Sequence, residues 1–186
     1  MAKSSITYRI SGVVEHDEGR AIMNKWRVLV IDDDPHTLQL VEETLQDTFD
    51  VLTHTQPQDT DRMVELFQPD LIILDVVMPA LDGFQVLKQL KNVEATAQLP
   101  VIFLSAKDSH AVIKQAYNEG AQLYLTKPFQ PERLRRNINL TFKQAPPPIR
   151  KKKLSPSEVK ARLEFFSAGS GLSGARHDTK VVRPDA

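Results

Sequence analysis

Residues 71–75 read Leu-Ile-Ile-Leu-Asp, four apolar residues followed by a carboxylate. A run that is apolar at every position is typical of a strand in a parallel sheet, because helices cover both faces of such a sheet. Similar short runs precede and follow it, separated by amphipathic stretches with apolar residues at helical spacing. Between residues 26 and 142 this alternation predicts an α/β domain built from repeated strand and helix units.

Five strands and five helices are predicted for this domain. The strands cover residues 28–32, 50–54, 71–75, 101–105 and 122–126. Three helices have clear apolar stripes, formed by Leu38, Val41 and Leu45, by Phe84, Leu87 and Leu90, and by Leu134, Ile138 and Phe142. Each stripe is expected to pack on the sheet, which gives a doubly wound, five-stranded parallel sheet flanked by five helices.

The composition favours a protein of a reducing compartment. The 186 residues include no cysteine, which excludes disulfides, zinc-thiolate sites and thiol nucleophiles. The apolar runs are far shorter than the roughly 20 residues that a membrane helix requires. The N-terminus has no apolar stretch of signal-peptide length. We therefore expect a cytoplasmic protein that is not inserted in a membrane.

Both ends of the chain differ in composition from the central domain. Residues 1–25 show no strong period, so we expect a poorly ordered N-terminal arm. Residues 143–186 begin with a Pro-rich, basic linker, and residues 141–186 hold 10 Lys and Arg against 4 Asp and Glu. One short helix over 155–166, with Ser155 as its cap, is expected in an otherwise disordered and flexible tail.

Polar side chains end or follow four of the predicted strands. They are Asp32 and Asp33 after the first strand, Asp75 at the third, Ser105 at the fourth and Lys127 after the fifth. In an open α/β sheet these positions meet at the carboxyl edge, where ligands bind. A single Asp at a strand end is usually a helix cap. Five such side chains at successive strand ends instead predict a functional site.

The residue types of this site favour phosphoryl transfer. Three carboxylates at one edge repel one another, so they require either a raised pKa or a bound cation. Their oxygen atoms favour a hard ion, Mg²⁺ or Mn²⁺. Lys127 adds a positive charge and Ser105 a hydroxyl donor, which together could hold a tetrahedral oxyanion beside the metal. Catalysis at such a site consists mainly of positioning and charge neutralisation.

Four motifs resemble those of response-regulator receiver domains, the CheY-like domains of two-component signalling. They are Val-Leu-Val-Ile-Asp-Asp-Asp-Pro (28–35), Leu-Asp-Val-Val-Met-Pro-Ala-Leu-Asp-Gly (74–83), Phe-Leu-Ser-Ala (103–106) and Tyr-Leu-Thr-Lys-Pro-Phe (124–129). The resemblance covers residues 26–142 and holds in order and spacing. It implies a flavodoxin-like sheet with strand order 2-1-3-4-5 and a cis peptide bond before Pro128.

The resemblance also implies roles for the site residues. Asp75 would attack a phosphohistidine of a sensor histidine kinase or histidine phosphotransfer protein and form an acyl phosphate. Asp33, Asp75 and the backbone carbonyl of Val77 would bind Mg²⁺ directly, and Asp32 would bind it through water. The chain would be a regulatory phosphoacceptor that catalyses only its own phosphorylation and dephosphorylation, and not an enzyme for other substrates.

The family's switch corresponds to Ser105 and Tyr124. Phosphorylation would draw in the Ser105 hydroxyl and turn Tyr124 inward, which would change the surface of the fourth helix, fifth strand and fifth helix. A downstream protein would bind this surface. For Tyr124, an ordinary half-buried aromatic is the alternative interpretation. Asp34, the third acid of its motif, is interpreted as a helix cap and not as a metal ligand.

A haloacid-dehalogenase-type phosphatase is the enzyme alternative. It also uses a first-strand aspartate, a Ser or Thr, a Lys and Mg²⁺ in that order. Residues 32–36 lack its Asp-x-Asp-x-Thr/Val pattern, and no acidic motif follows Lys127. Asp75 would have no role in such an enzyme.

The form of the output is a separate question. The tail after residue 142 is short and poor in apolar residues for a usual DNA-binding domain, so we favour a stand-alone regulator that signals by protein contact. Nucleic acid binding is expected only weakly, through the basic tail. Alternatively, an output domain lost by truncation begins after residue 153, with Val159, Leu163 and Phe166 as half of its packing face.

Overall fold

The computed structural model describes residues 13–16, 20–23, 25–79, 81–142 and 154–169. The first two strands, β1 (Val13–His16) and β2 (Arg20–Met23), pair antiparallel in a small sheet of their own. The sequence did not predict this hairpin in the expected arm, because two four-residue strands give too short a pattern to detect. The rest of that arm before residue 25, the linker 143–153 and the tail 170–186 lie outside the described residues.

The main sheet has five parallel strands. They are β3 (Arg27–Ile31), β4 (Asp50–His54), β5 (Leu71–Leu74), β6 (Val101–Ser105) and β7 (Leu123–Thr126). Their order is β4-β3-β5-β6-β7, which is 2-1-3-4-5 when the five strands are counted along the chain. The predicted parallel, doubly wound sheet is therefore confirmed, and the boundaries of three strands differ by one residue from the prediction.

Six α-helices are present in the described residues. They are α1 (Pro35–Leu45), α2 (Thr60–Phe67), α3 (Gly83–Asn92), α4 (His110–Asn118), α5 (Pro131–Phe142) and α6 (Pro156–Gly169). The first and fifth helices pack on one face of the sheet, and the second, third and fourth pack on the other. Successive residues of β3 point alternately into these two cores, as Leu29 and Val30 do. No helix in the described ranges is long and apolar enough to cross a membrane.

Local signals in the sequence mark where helices begin and end. Asp34 caps α1, since its carboxylate accepts hydrogen bonds from the backbone N–H groups of His36 and Thr37, as interpreted from the sequence. Gly120 follows α4 with a φ of 95°, a left-handed conformation that favours glycine. These short-range features place the loops at the ends of the strands.

The helix predicted over 155–166 is present, but it is longer and is packed against the domain. It covers Pro156–Gly169, and Ser155 and Glu158 form a capping box at its start. Val159 is 0% exposed and joins the core that contains Met63 and Phe67 of α2. The sequence predicts this helix in a tail beyond a domain that ends at residue 142. Its packing surface was visible in the sequence, but the partner of that surface was not.

Candidate functional site

Three carboxylates meet at the carboxyl edge of the sheet. Asp32 follows β3 and Asp75 follows β5, and these two strands are neighbours. With Asp33, each offers one oxygen atom, and the three atoms lie within 4.8 Å of one another. Asp32 and Asp75 are 2% and 5% exposed, whereas Asp33 is exposed to solvent. The cluster therefore has a buried floor and an open side.

Lys127 approaches the same cluster from the end of β7. Its ammonium group lies 2.6 Å from Oδ2 of Asp32 and 3.6 Å from Oδ1 of Asp75. Its backbone N–H donates to the carbonyl of Ser105 at 2.8 Å, which ties the lysine to the end of β6. The peptide bond between Lys127 and Pro128 is cis, as the resemblance implied. The lysine is thus fixed beside two carboxylates that are distant from it in sequence.

The electrostatics of the cluster are set by burial. Removal from water raises the pKa of Asp32, and the hydrogen bond from Lys127 opposes this shift without cancelling it. Asp75 Oδ1 is buried and makes no hydrogen bond with any of the described residues. Burial of a carboxylate oxygen without a hydrogen bond lowers the free energy of unfolding, so selection for stability alone would not favour it. An oxygen in this state is available to a cation or to an electrophile.

These residues fit a hard divalent cation. Three carboxylates supply oxygen ligands from one side, and the exposed Asp33 leaves a route for water and phosphate oxygens. Val77, whose backbone carbonyl the resemblance implied as a further ligand, follows Asp75 by two residues and is 51% exposed.

Ser105 and Tyr124 lie on the neighbouring strands β6 and β7. Ser105 is fully buried, and its hydroxyl accepts a hydrogen bond from the backbone N–H of Lys107 at 3.4 Å. Tyr124 is buried, and its hydroxyl donates to the carbonyl of Lys107 at 2.7 Å. Burial raises the pKa of the Tyr124 hydroxyl. Ser105 and Tyr124 therefore contact the same backbone segment after β6, and the Tyr124 ring is buried.

Comparison with known proteins decides the family. Residues 28–139 match the model of the response regulator receiver domain. This chain belongs to that family. Membership resolves the choice between a receiver and a haloacid-dehalogenase-type phosphatase in favour of the receiver.

The relatives of this receiver differ in how much of their own length the match covers. It is 33% identical over 124 residues to the alkaline phosphatase synthesis transcriptional regulatory protein PhoP of Bacillus subtilis, covering 66% of this chain and 50% of PhoP. It is 38% identical over 109 residues to the transcriptional regulator RpaA of Synechocystis, covering 58% of this chain and 45% of RpaA. It is 33% identical over 114 residues to protein PilH of Pseudomonas aeruginosa, covering 61% of this chain and 94% of PilH. The match therefore spans about half of the two transcriptional regulators and nearly all of PilH.

Solved structures agree with this family assignment. The receiver resembles the chemotaxis response regulator CheY4 of Vibrio cholerae with a TM-score of 0.60 and 28% identity. That likeness covers 63% of this chain and 99% of CheY4. The receiver domain of Francisella response regulator 1452 gives a TM-score of 0.60 with 30% identity, covering 64% of this chain and 98% of that domain.

Gly83 lies directly against the backbone of Asp75, a contact that the sequence analysis did not predict. A Cβ atom at Gly83 would lie 2.1 Å from the backbone carbonyl oxygen of Asp75 and 3.0 Å from Cε1 of Phe103. Its N–H donates to the carbonyl of Val76 at 2.9 Å. In the sequence Asp82-Gly83 indicated only a turn, because nothing local reveals that α3 begins against the carbonyl of Asp75.

Replacement of Gly83 by alanine is expected to destabilise the receiver by about 3 kcal/mol, because the new methyl group would collide with the Asp75 backbone. Urea denaturation followed by circular dichroism measures the loss. Gly120→Ala is the matched control: its Cβ would meet only the Lys91 side chain at 3.5 Å, so the cost is backbone strain of about 1 kcal/mol. Equal losses in the two variants would contradict the steric role of Gly83.

Proposed function

We propose that this chain is a response regulator that accepts a phosphoryl group on Asp75 from a phosphohistidine of a sensor histidine kinase or histidine phosphotransfer protein. The observation that carries the proposal is the buried Asp75 Oδ1, which makes no hydrogen bond with the described residues and lies 3.6 Å from the Lys127 ammonium. A carboxylate in this position combines an available nucleophilic oxygen with a nearby positive charge.

The proposed reaction is a phosphoryl transfer between two side chains. An oxygen of Asp75 forms a bond to phosphorus, the bond from phosphorus to the imidazole nitrogen of the donor breaks, and the imidazole leaves with the electron pair. Lys127 would neutralise charge on the phosphoryl oxygens, and the Ser105 hydroxyl would donate a hydrogen bond to one of them. A Mg²⁺ ion, or Mn²⁺, held by Asp32, Asp33, Asp75 and the Val77 carbonyl, would supply further neutralisation of this charge.

The output is proposed to be a change of protein contacts. Tyr124 and Ser105 both bind the backbone of residue 107, so a rearrangement at Ser105 would alter the position of the Tyr124 ring. Tyr124 lies in β7 and packs on the side of the sheet that α4 covers. The α4-β7-α5 face would present the changed surface to a downstream protein. We propose a cytoplasmic regulator without a further catalytic activity, in which the basic tail contributes at most weak contact with nucleic acid.

A stand-alone regulator is the form that we favour. PilH, of which the match covers 94%, has about the size of the receiver alone. In the described part of the tail, the apolar residues Val159 and Leu163 pack on the receiver's own core. The alternative is a longer regulator in which an output domain follows, as the length of PhoP relative to its match allows.

The test is the intact mass of the protein after incubation with acetyl phosphate or with a phosphorylated histidine phosphotransfer domain. We expect an addition of about 80 Da, one phosphoryl group, in the presence of Mg²⁺ and no addition in the presence of EDTA. Absence of the addition with both donors in Mg²⁺ would contradict the proposed function. An addition that persists in EDTA would contradict the metal site.

A further inference from the structure

The helix α6 occupies the groove between α2 and the edge strand β4. Val159 is 0% exposed and packs in the core that includes Met63 and Phe67, and Leu163 packs against the same cluster. Arg27, itself buried, donates hydrogen bonds to the backbone carbonyls of Phe67 and of Leu154, the latter at 2.7 Å. One buried cation therefore joins the end of α2 to Leu154, two residues before the start of α6.

The direction of α6 brings its C-terminal half toward the site. At its start, Pro156 and Ser157 line a groove with Asp50, the first residue of β4. Farther along, Leu163 and Glu164 line a second groove with His54, the last residue of β4. The helix therefore runs along the edge strand from its amino end to its carboxyl end. The carboxyl end is the edge of the sheet at which the three carboxylates meet.

Polar contacts connect α6 to Asp32 through β4. The Lys160 ammonium donates to the Thr53 hydroxyl at 3.3 Å and lies 4.0 Å from a Glu42 carboxylate oxygen. The residue after Thr53 is His54, whose backbone carbonyl accepts the N–H of Asp32 at 3.2 Å. The contacts are continuous from the helix surface to the backbone of a carboxylate in the site.

From this arrangement we propose that α6 is a positioning element for the phosphoacceptor site, and that docking of α6 and occupancy of the site by metal and phosphoryl group stabilise each other. The proposal rests on the proposed function for its phosphoryl part. The physical reason is that both events order the same segment. Ligands on Asp32 and Asp33 would fix the end of β3, and the hydrogen bond from the Asp32 N–H to the His54 carbonyl would then hold the end of β4. Because α6 packs along β4, an ordered β4 favours a docked α6. By linkage, the effect is equal in both directions.

The first measurement is hydrogen exchange of the α6 backbone in the full chain, without ligand, with Mg²⁺ alone, and with Mg²⁺ and acetyl phosphate. Exchange in α6 is expected to slow by about fivefold in Mg²⁺, with or without acetyl phosphate, which is the lower end of ordinary coupling factors. A helix that serves only to cover β4 would exchange at the same rate in all three conditions. Equal rates would therefore overturn the proposal.

The reciprocal measurement is the Mg²⁺ dissociation constant of full-chain variants, obtained by calorimetric titration. Val159→Asp places a charge in the core and should release α6, which weakens Mg²⁺ binding by about the same fivefold factor. Ala161→Asp introduces the same residue at an exposed position of the helix and should leave the constant unchanged. Lys160→Met removes the charge and should weaken Mg²⁺ binding. Lys160→Arg keeps the charge and should retain most of the wild-type affinity for Mg²⁺.

These outcomes separate the two proposals. Phosphoryl uptake by the wild type together with unchanged α6 exchange would overturn the role of α6 and leave the proposed function standing. Slower α6 exchange in Mg²⁺ without phosphoryl uptake from any donor would support the metal part of the coupling and contradict the proposed function. If Val159→Asp fails to fold, the two Lys160 variants test the proposal instead. Equal Mg²⁺ dissociation constants for Lys160→Met, Lys160→Arg and wild type would overturn the proposed connection from α6 through β4 to Asp32.

Discussion

Asp75→Asn is expected to abolish phosphoryl uptake while the receiver remains folded. Asparagine has nearly the volume of aspartate, so it fills the same buried position after β5, but its amide lacks the nucleophilic carboxylate oxygen. Removal of one of three clustered carboxylates also lowers their mutual repulsion, so the free energy of unfolding should not fall. Intact mass after incubation with acetyl phosphate and Mg²⁺ measures the uptake, and circular dichroism measures folding.

Asp34→Asn is the matched control for that experiment. Asp34 belongs to the same acidic motif, but its carboxylate caps α1 and does not belong to the three-carboxylate cluster. Asparagine is also a good N-cap, so the control should keep both its stability and its phosphoryl uptake. Uptake by Asp75→Asn at the wild-type level would refute the assignment of the phosphoacceptor, and loss of uptake in Asp34→Asn would assign a functional role to the cap.

The second large effect is expected for Asp32→Asn, which should stabilise the metal-free receiver and weaken Mg²⁺ binding at least tenfold. Burial raises the pKa of Asp32 above its ordinary value of 3.8, so the ionised carboxylate is held in the folded state at a cost. Asparagine removes that charge. In EDTA at neutral pH, the free energy of unfolding is expected to rise by about 1 kcal/mol. Gains of this kind are common when a functional residue that destabilises the fold is replaced.

The pH dependence of this gain has a defined sign. Because the folded-state pKa of Asp32 is raised, the folded protein keeps a proton that the unfolded chain has lost, and wild-type stability falls as pH rises from 3.8 through the raised pKa. The advantage of Asp32→Asn should therefore be full at neutral pH and shrink as the pH approaches 3.8. Urea unfolding at several pH values in EDTA measures it, and an advantage that grows on acidification would contradict the argument.

Asp33→Asn provides the comparison within the cluster. Asp33 is exposed, whereas Asp32 is 2% exposed. Both variants should weaken Mg²⁺ binding, but the gain in stability without metal should be smaller for Asp33→Asn, since water already screens that charge. A larger gain in Asp33→Asn than in Asp32→Asn would mean that burial is not the origin of the cost.

The sequence by itself determined the strands of the main sheet and the position of two carboxylates at its edge. Runs such as residues 71–74 are apolar at every position, a pattern typical of a strand between two helical layers. Asp32 and Asp75 directly follow such strands, so the parallel arrangement alone brings them to one edge of the sheet. Whether a residue lies in a strand or directly after one depends mainly on its neighbours in the sequence. For this reason both could be predicted without a structure.

Other features were decided only by the tertiary structure. Three contacts join segments that are far apart in sequence or that local patterns do not reveal. They are the 2.6 Å contact between Lys127 and Asp32, the close approach of Gly83 to the Asp75 backbone, and the burial of Val159 of α6 against α2. Periodicity shows that a helix has an apolar face but not which surface receives it. The raised pKa of Asp32 likewise depends on how much water the packed domain excludes, and that quantity exists only when the chain is folded.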